Sequence, residues 1–85
     1  MDIQVLGTGC YKCIELEMLL ASVLAELKLI GTTVTRVDDP VKIRHHIPLD
    51  GVPGLLIDGR LVSQAHLPSR DELREWLRQA AAVAA

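Results

Sequence analysis

The spacing of apolar residues changes repeatedly along this chain, and each change marks an element. Ile3 and Val5 alternate with Asp2 and Gln4, so Ile3-Gln4-Val5-Leu6 reads as a short strand that Gly7-Thr8-Gly9 ends. From about Cys10 to Leu29 the spacing becomes helical, with Leu16, Leu20, Val23, Leu24 and Leu27 on one stripe. Gly31 is placed to close that helix as a left-handed residue past its last turn. Thr33 to Val37 is β-branched except at Arg36 and reads as a second strand. Asp39 then serves as N-cap and Pro40 as first residue of a short helix, which Pro48 limits. Leu49 to Pro53 is a turn-rich loop. Gly54-Leu55-Leu56-Ile57 and Leu61-Val62-Ser63 flank Asp58-Gly59, a pair suited to a turn that needs two positive φ values. Ser69 and Glu72 form a capping box for a last helix whose stripe is Leu73, Trp76, Leu77 and Ala80. Its alanine-rich end is expected to fray.

The order is strand-helix-strand-helix-strand-strand-helix, one domain over residues 1–85. The first two strands must run parallel, because a helix crosses between them, and the last two form an antiparallel hairpin. The first helix carries more than the fold requires. Ile14, Met18, Ala21, Ala25 and Leu29 lie nearly opposite its main stripe. A helix resting on a sheet needs one apolar face. The second face either meets the C-terminal helix of the same molecule or stays exposed as a partner or dimer surface.

Composition narrows the function. With no Phe, one Tyr and one Trp, the core must be aliphatic. A net charge of −2 gives no basic patch for nucleic acid. No basic start precedes an apolar stretch, and nothing approaches the length of a membrane span. The expected setting is the reducing cytosol, where a close cysteine pair is more often catalytic or metal-binding than a structural staple.

Cys10 and Cys13, the only cysteines, supply such a pair at the start of the first helix. Two thiols three positions apart there can close into a disulfide and reopen, and the helix dipole favours a thiolate at the first. Lys12 between them is either a charge that further favours the thiolate or a solvated lysine on an exposed turn. Tyr11 is a surface aromatic beside the reactive thiol, placed to contact a partner. Gly7-Thr8-Gly9 is no dinucleotide fingerprint, since Lys12 stands where the third glycine belongs; the glycines let the backbone come close to the Cys10 sulfur. His45, His46 and His66 have no spacing that completes a four-ligand metal site, so neither a metal nor any other cofactor is expected.

The strand–Cys-x-x-Cys–helix opening, the element order, Val52-Pro53 before the third strand and the closing amphipathic helix together resemble a minimal thioredoxin fold. More narrowly, the chain is similar to the small thioredoxin-like redox-active disulfide proteins, which carry the active site in a Gly-Thr-Gly-Cys-x-x-Cys stretch. The resemblance implies an α/β fold, βαβαββα, with a four-stranded mixed sheet of order 2-1-3-4. It implies a dithiol–disulfide oxidoreductase with Cys10 attacking and Cys13 resolving. It also makes Pro53 a cis proline facing the pair, where a base rate of about 5–6% cis would otherwise favour trans. A proline gives no N–H to a ladder, so Val52's backbone is left to pair with a substrate chain. The implied partners are a disulfide-containing protein or small molecule and a dithiol or flavin-dependent reductase as electron donor. The chain departs from thioredoxin at Tyr11-Lys12, where thioredoxin has Gly-Pro, and at Gly9, where an aromatic is usual. It departs again at Gln4, which stands where thioredoxin buries an acid.

A second reading is a soft-metal carrier. Ferredoxin-like metallochaperones also place Cys-x-x-Cys after a first strand and hold Cu(I) through two thiolates. Their element order ends in a strand, whereas this chain ends in a helix, and they have no counterpart of Val52-Pro53. The association expected through the Ile14/Met18/Leu29 face is that of a monomer or weak homodimer.

Overall fold

The structure, a computed structural model, describes residues 1–7, 11–29 and 31–84. Its elements are β1 (Asp2–Leu6), α1 (Tyr11–Leu27), β2 (Thr33–Val37), α2 (Pro40–Arg44), a 3-10 turn (Leu49–Gly51), β3 (Gly54–Ile57), β4 (Arg60–Ser63) and α3 (Arg70–Ala84). The strands form one mixed sheet of order β2-β1-β3-β4. β1 runs parallel to β2 and antiparallel to β3, and β3–β4 is the expected hairpin. Asp58 and Gly59 hold φ of 51° and 81°, the two left-handed positions that a tight hairpin turn requires.

Strand alternation divides the core into two layers. Ile3, Val5, Leu55 and Ile57 point to one face and pack with Leu16, Leu20 and Val23 of α1 and Leu73 and Leu77 of α3. Leu6 and Leu56 point to the other and pack with Ile43 of α2 and Ile47 just beyond it. Both caps read from sequence form. The Asp39 carboxylate accepts from the Val41 N–H at 2.9 Å. The Ser69 hydroxyl and the Glu72 N–H are 3.1 Å apart, as are the Ser69 N–H and the Glu72 carboxylate.

The end of α1 differs from expectation. Lys28, with φ 55°, is the left-handed residue that closes the helix, and Gly31 serves the turn into β2 with φ 83°. The Leu29 N–H donates to the Leu24 carbonyl and the Lys28 N–H to the Ala25 carbonyl, each at 3.2 Å, which is a Schellman closure. Closing there turns Leu29 back beside Leu24, and both pack on the core. That apolar contact compensates for the left-handed cost at a lysine, which a glycine-based reading does not foresee.

Candidate functional site

The site lies at the end of the sheet where β1 leads toward α1 and where the loop before β3 begins. Cys13 sits in the first turns of α1 and is fully buried. Its sulfur rests on Gly7, the residue after β1. A methyl group at Gly7 would be driven into the Cys13 Sγ and would lie 3.1 Å from the Cys13 Cβ. Glycine is required here for space, and the thiol it accommodates is Cys13. The sequence reading assigned that close approach to Cys10; Cys10, with Thr8 and Gly9, lies outside the described residues. Gly7 is anchored to the neighbouring strand, its N–H donating to the Val37 carbonyl at 3.0 Å.

The antiparallel register ends with Leu6 opposite Gly54, and Gly7 and Pro53 are the next residues along each chain. The Val52–Pro53 peptide bond is cis. Pro53 is buried and Val52 half-buried against the α2-side core. Ala65, at φ 67°, fastens this loop: its N–H reaches the Gly51 carbonyl at 2.7 Å and the Pro53 carbonyl at 3.2 Å. Gly54 is as confined as Gly7, since an added Cβ would come within 2.7 Å of Ile47 Cδ1 and 3.3 Å of Leu6 Cβ. The proline loop and the buried thiol are therefore set against the same strand end by close packing.

Tyr11 and Lys12 are both exposed on the first turn of α1. The Tyr11 hydroxyl hydrogen-bonds the Glu15 carboxylate one turn on, which raises the phenol's pKa.

The electrostatics near Cys13 come from residues that the sequence reading left aside. Glu17 stands one turn after Cys13 on the same helix, so their side chains are neighbours. Arg36 of β2 grips Glu17 with two hydrogen bonds, Nε to Oε1 at 2.8 Å and Nη2 to Oε2 at 2.5 Å. Those bonds hold the Glu17 carboxyl below its ordinary range. Glu17 in turn raises the Arg36 pKa, chiefly through its hydrogen bond, with Cys13 a smaller contribution. Arg36 pairs in register with Val5, two residues before Gly7, so its positive charge lies along the edge of the sheet near the Cys13 sulfur. Gln4 alternates with Val5 and belongs to the opposite face. The position where thioredoxin keeps its acid thus holds a neutral side chain on the side away from α1. Glu17's spacing from Cys13 and Arg36's place as the one charge in a β-branched strand were the available signals.

His45 and His46 are exposed just past α2, and a His66 ring nitrogen lies 3.0 Å from the Gln64 carbonyl oxygen. Among the described residues no three His, Cys, Asp or Glu side chains are grouped to hold a metal ion. Among them, too, no helix is long and apolar enough to cross a membrane.

Residues 1–78 match the family model described as a thioredoxin domain. No curated protein and no solved structure matches the chain.

Proposed function

We propose that this chain, which belongs to the thioredoxin-domain family, is a thiol–disulfide oxidoreductase that works through Cys10 and Cys13. The observation that carries the reading is the burial of Cys13 on Gly7, at the strand end that the cis Val52–Pro53 loop also meets. A buried second thiol beside a proline loop suits a resolving role: it is out of reach of solvent and close to the helix start where the first thiol stands.

In the reaction, the Cys10 thiolate attacks one sulfur of a substrate disulfide. That bond breaks, one substrate thiolate leaves, and a mixed disulfide joins Cys10 to the substrate. The Cys13 thiol loses its proton and attacks the Cys10 sulfur. The second substrate thiolate leaves, and the Cys10–Cys13 disulfide remains. Two electrons have passed to the substrate, and the departing thiolates take up protons. A dithiol or a flavin-dependent reductase then returns the electrons in the cytosol. In this reading Tyr11 contacts the substrate and the backbone of Val52 pairs with its chain. Lys12 favours the Cys10 anion. Arg36 favours that of Cys13, whose burial otherwise works against ionisation.

Trapping tests this directly. Cys13→Ser incubated with a disulfide such as cystamine should accumulate a mixed disulfide on Cys10 that mass spectrometry detects, and Cys10→Ser should not. Accumulation in both variants, or in neither, overturns the division of roles.

A further inference from the structure

We infer that Arg36 and Glu17 are positioning residues for the resolving thiol: the guanidinium favours the Cys13 thiolate, and the carboxylate holds that guanidinium at the helix while offsetting part of its charge. The pair's consequence for turnover rests on the thiol–disulfide reading above; its effect on the Cys13 thiol does not. Cys13 is fully buried, with its sulfur on Gly7. The Gly7 N–H donates to the carbonyl of Val37, the residue that follows Arg36 on β2. Val37 packs toward the α2 side of the sheet. Strand alternation therefore turns Arg36 to the α1 side, where it meets Glu17. Glu17 stands four residues after Cys13, on the same side of α1. Helical side chains lean toward the N-terminus, which for Glu17 is toward Cys13. The thiol thus has both members of one ion pair beside it, supplied by two different elements.

The other charges at this strand end are spoken for or remote. Among the described residues, α1 adds Lys12, exposed on its first turn, and Tyr11 bonded to Glu15. β2 leads into Asp38, which together with Cys13 adds to the effect of Glu17 on Arg36. The end of β1 and the proline loop bring Leu6, Gly7, Val52 and Pro53, none of which titrates. With side chains 40% and 25% exposed, the Arg36–Glu17 pair adds little to stability. Its field acts more strongly on a buried neighbour, because burial removes the water that would otherwise screen it. Glu17 does not serve as a base. Both of its carboxylate oxygens accept from Arg36, and those bonds hold its carboxyl below the ordinary range.

In the resolving step a bond forms between the Cys13 and Cys10 sulfurs, and the bond from Cys10 to the substrate breaks. The electron pair leaves on the substrate sulfur, which takes up a proton equivalent to the one Cys13 lost. The step draws on the Cys13 thiolate, so its rate follows the charge beside that sulfur. Arg36→Gln leaves Glu17 as a lone anion there. Glu17→Gln leaves Arg36 unopposed, with an amide oxygen still placed to bond it. The two substitutions therefore act in opposite directions. A pair that only braced the helix would give the same direction for both, since losing either partner loosens the same contact.

The test titrates the Cys10→Ser chain, in which Cys13 is the remaining thiol, by the ultraviolet absorbance of its thiolate against a Cys10→Ser/Cys13→Ser blank. Arg36→Gln should lower the thiolate fraction near neutral pH about tenfold, and Glu17→Gln should raise it about threefold. Arg36→Gln/Glu17→Gln should return it close to the parent value, and Arg36→Lys should restore part of what Arg36→Gln loses. Glu26→Gln, which removes the ion pairs on the other flank of α1, should leave it unchanged. In the two-cysteine chain carrying cysteamine on Cys10, release of cysteamine should slow about threefold with Arg36→Gln, because a more basic thiolate is also a better nucleophile. Glu17→Gln should quicken it. Shifts of the same sign in Arg36→Gln and Glu17→Gln, no shift in either, or an equal shift in Glu26→Gln overturns the proposal. Opposite shifts in the thiolate with no release of cysteamine from the parent chain support the electrostatic assignment and overturn the redox reading instead.

Discussion

α1 and α3 lie side by side on the same face of the sheet, yet they are composed differently. α3 turns Leu73 and Leu77 to the core with Trp76 and Ala80 packed against it, while Arg70, Asp71, Glu72, Glu75, Arg78 and Gln79 face solvent. α1 buries Leu16, Leu20 and Val23 in the same core and also exposes Tyr11, Ile14 and Met18. Packing accounts for every apolar residue described on α3 up to Ala80, whereas on α1 it leaves out Tyr11, Ile14, Met18, Ala21 and Ala25. The helix that begins beside the cysteines is thus the one with residues left over from folding. That excess is not used by the core, a difference that can be tested one face at a time.

The largest effects should be equal in the two helices. Leu20→Ala and Leu77→Ala each remove a fully buried side chain. Each should cost about 2–5 kcal/mol in urea unfolding. If one cost far less than the other, the two inner faces would not be equivalent.

A second test addresses what α1 alone carries at its start. Gly7→Ala forces a methyl group against the Cys13 sulfur. Overpacking of this kind should cost about 1–3 kcal/mol. Cys13→Ala in the same chain makes room and should recover most of the loss. Additive costs in the double mutant would mean that Gly7 and Cys13 do not share one space.

The outer faces should respond least. Met18→Lys should change stability by no more than about 0.5 kcal/mol, as for a surface site, and a large loss would return Met18 to the core. The ion pairs that flank α1 should give a small acid dependence. The carboxyls of Glu17 and Glu26 are both held below their ordinary value of 4.5, by Arg36 and by Arg74. A lowered folded-state pKa adds stability above the unfolded value and loses it as pH falls through the folded one. Glu17→Gln and Glu26→Gln should therefore each narrow the difference in urea midpoint between pH 7 and pH 3. A difference equal to that of the parent chain would show that the pairs contribute nothing.

Most of the fold was legible because its signals are local. Asp39, Ser69 with Glu72, and Asp58-Gly59 act within a few residues of themselves, and each appears where sequence places it. The end of α1 was misplaced because an apolar contact by Leu29 outweighed the usual preference for glycine, and Lys28 took the left-handed position. At the site, the cysteine pair and the proline were visible as residue types. The Arg36–Glu17 clamp was not, since it joins residues 19 apart across a helix and an edge strand. Ala65's hold on the Gly51 and Pro53 carbonyls is equally silent, because any residue with an N–H supplies it. The second stripe of α1 was seen, but periodicity shows only that a face is apolar. Whether α3 would cover it depended on which flank of α1 the Arg70 and Arg74 contacts select.

The central claim is that Cys10 and Cys13 form a reversible two-electron couple. Equilibrating the chain in a series of reduced and oxidised dithiothreitol, quenching with acid and counting alkylated thiols by mass spectrometry measures this directly. The account predicts one transition between a chain with two modified cysteines and a chain with none, with no lasting singly modified species. Two thiols that titrate independently, or that stay modified across the whole series, would contradict it.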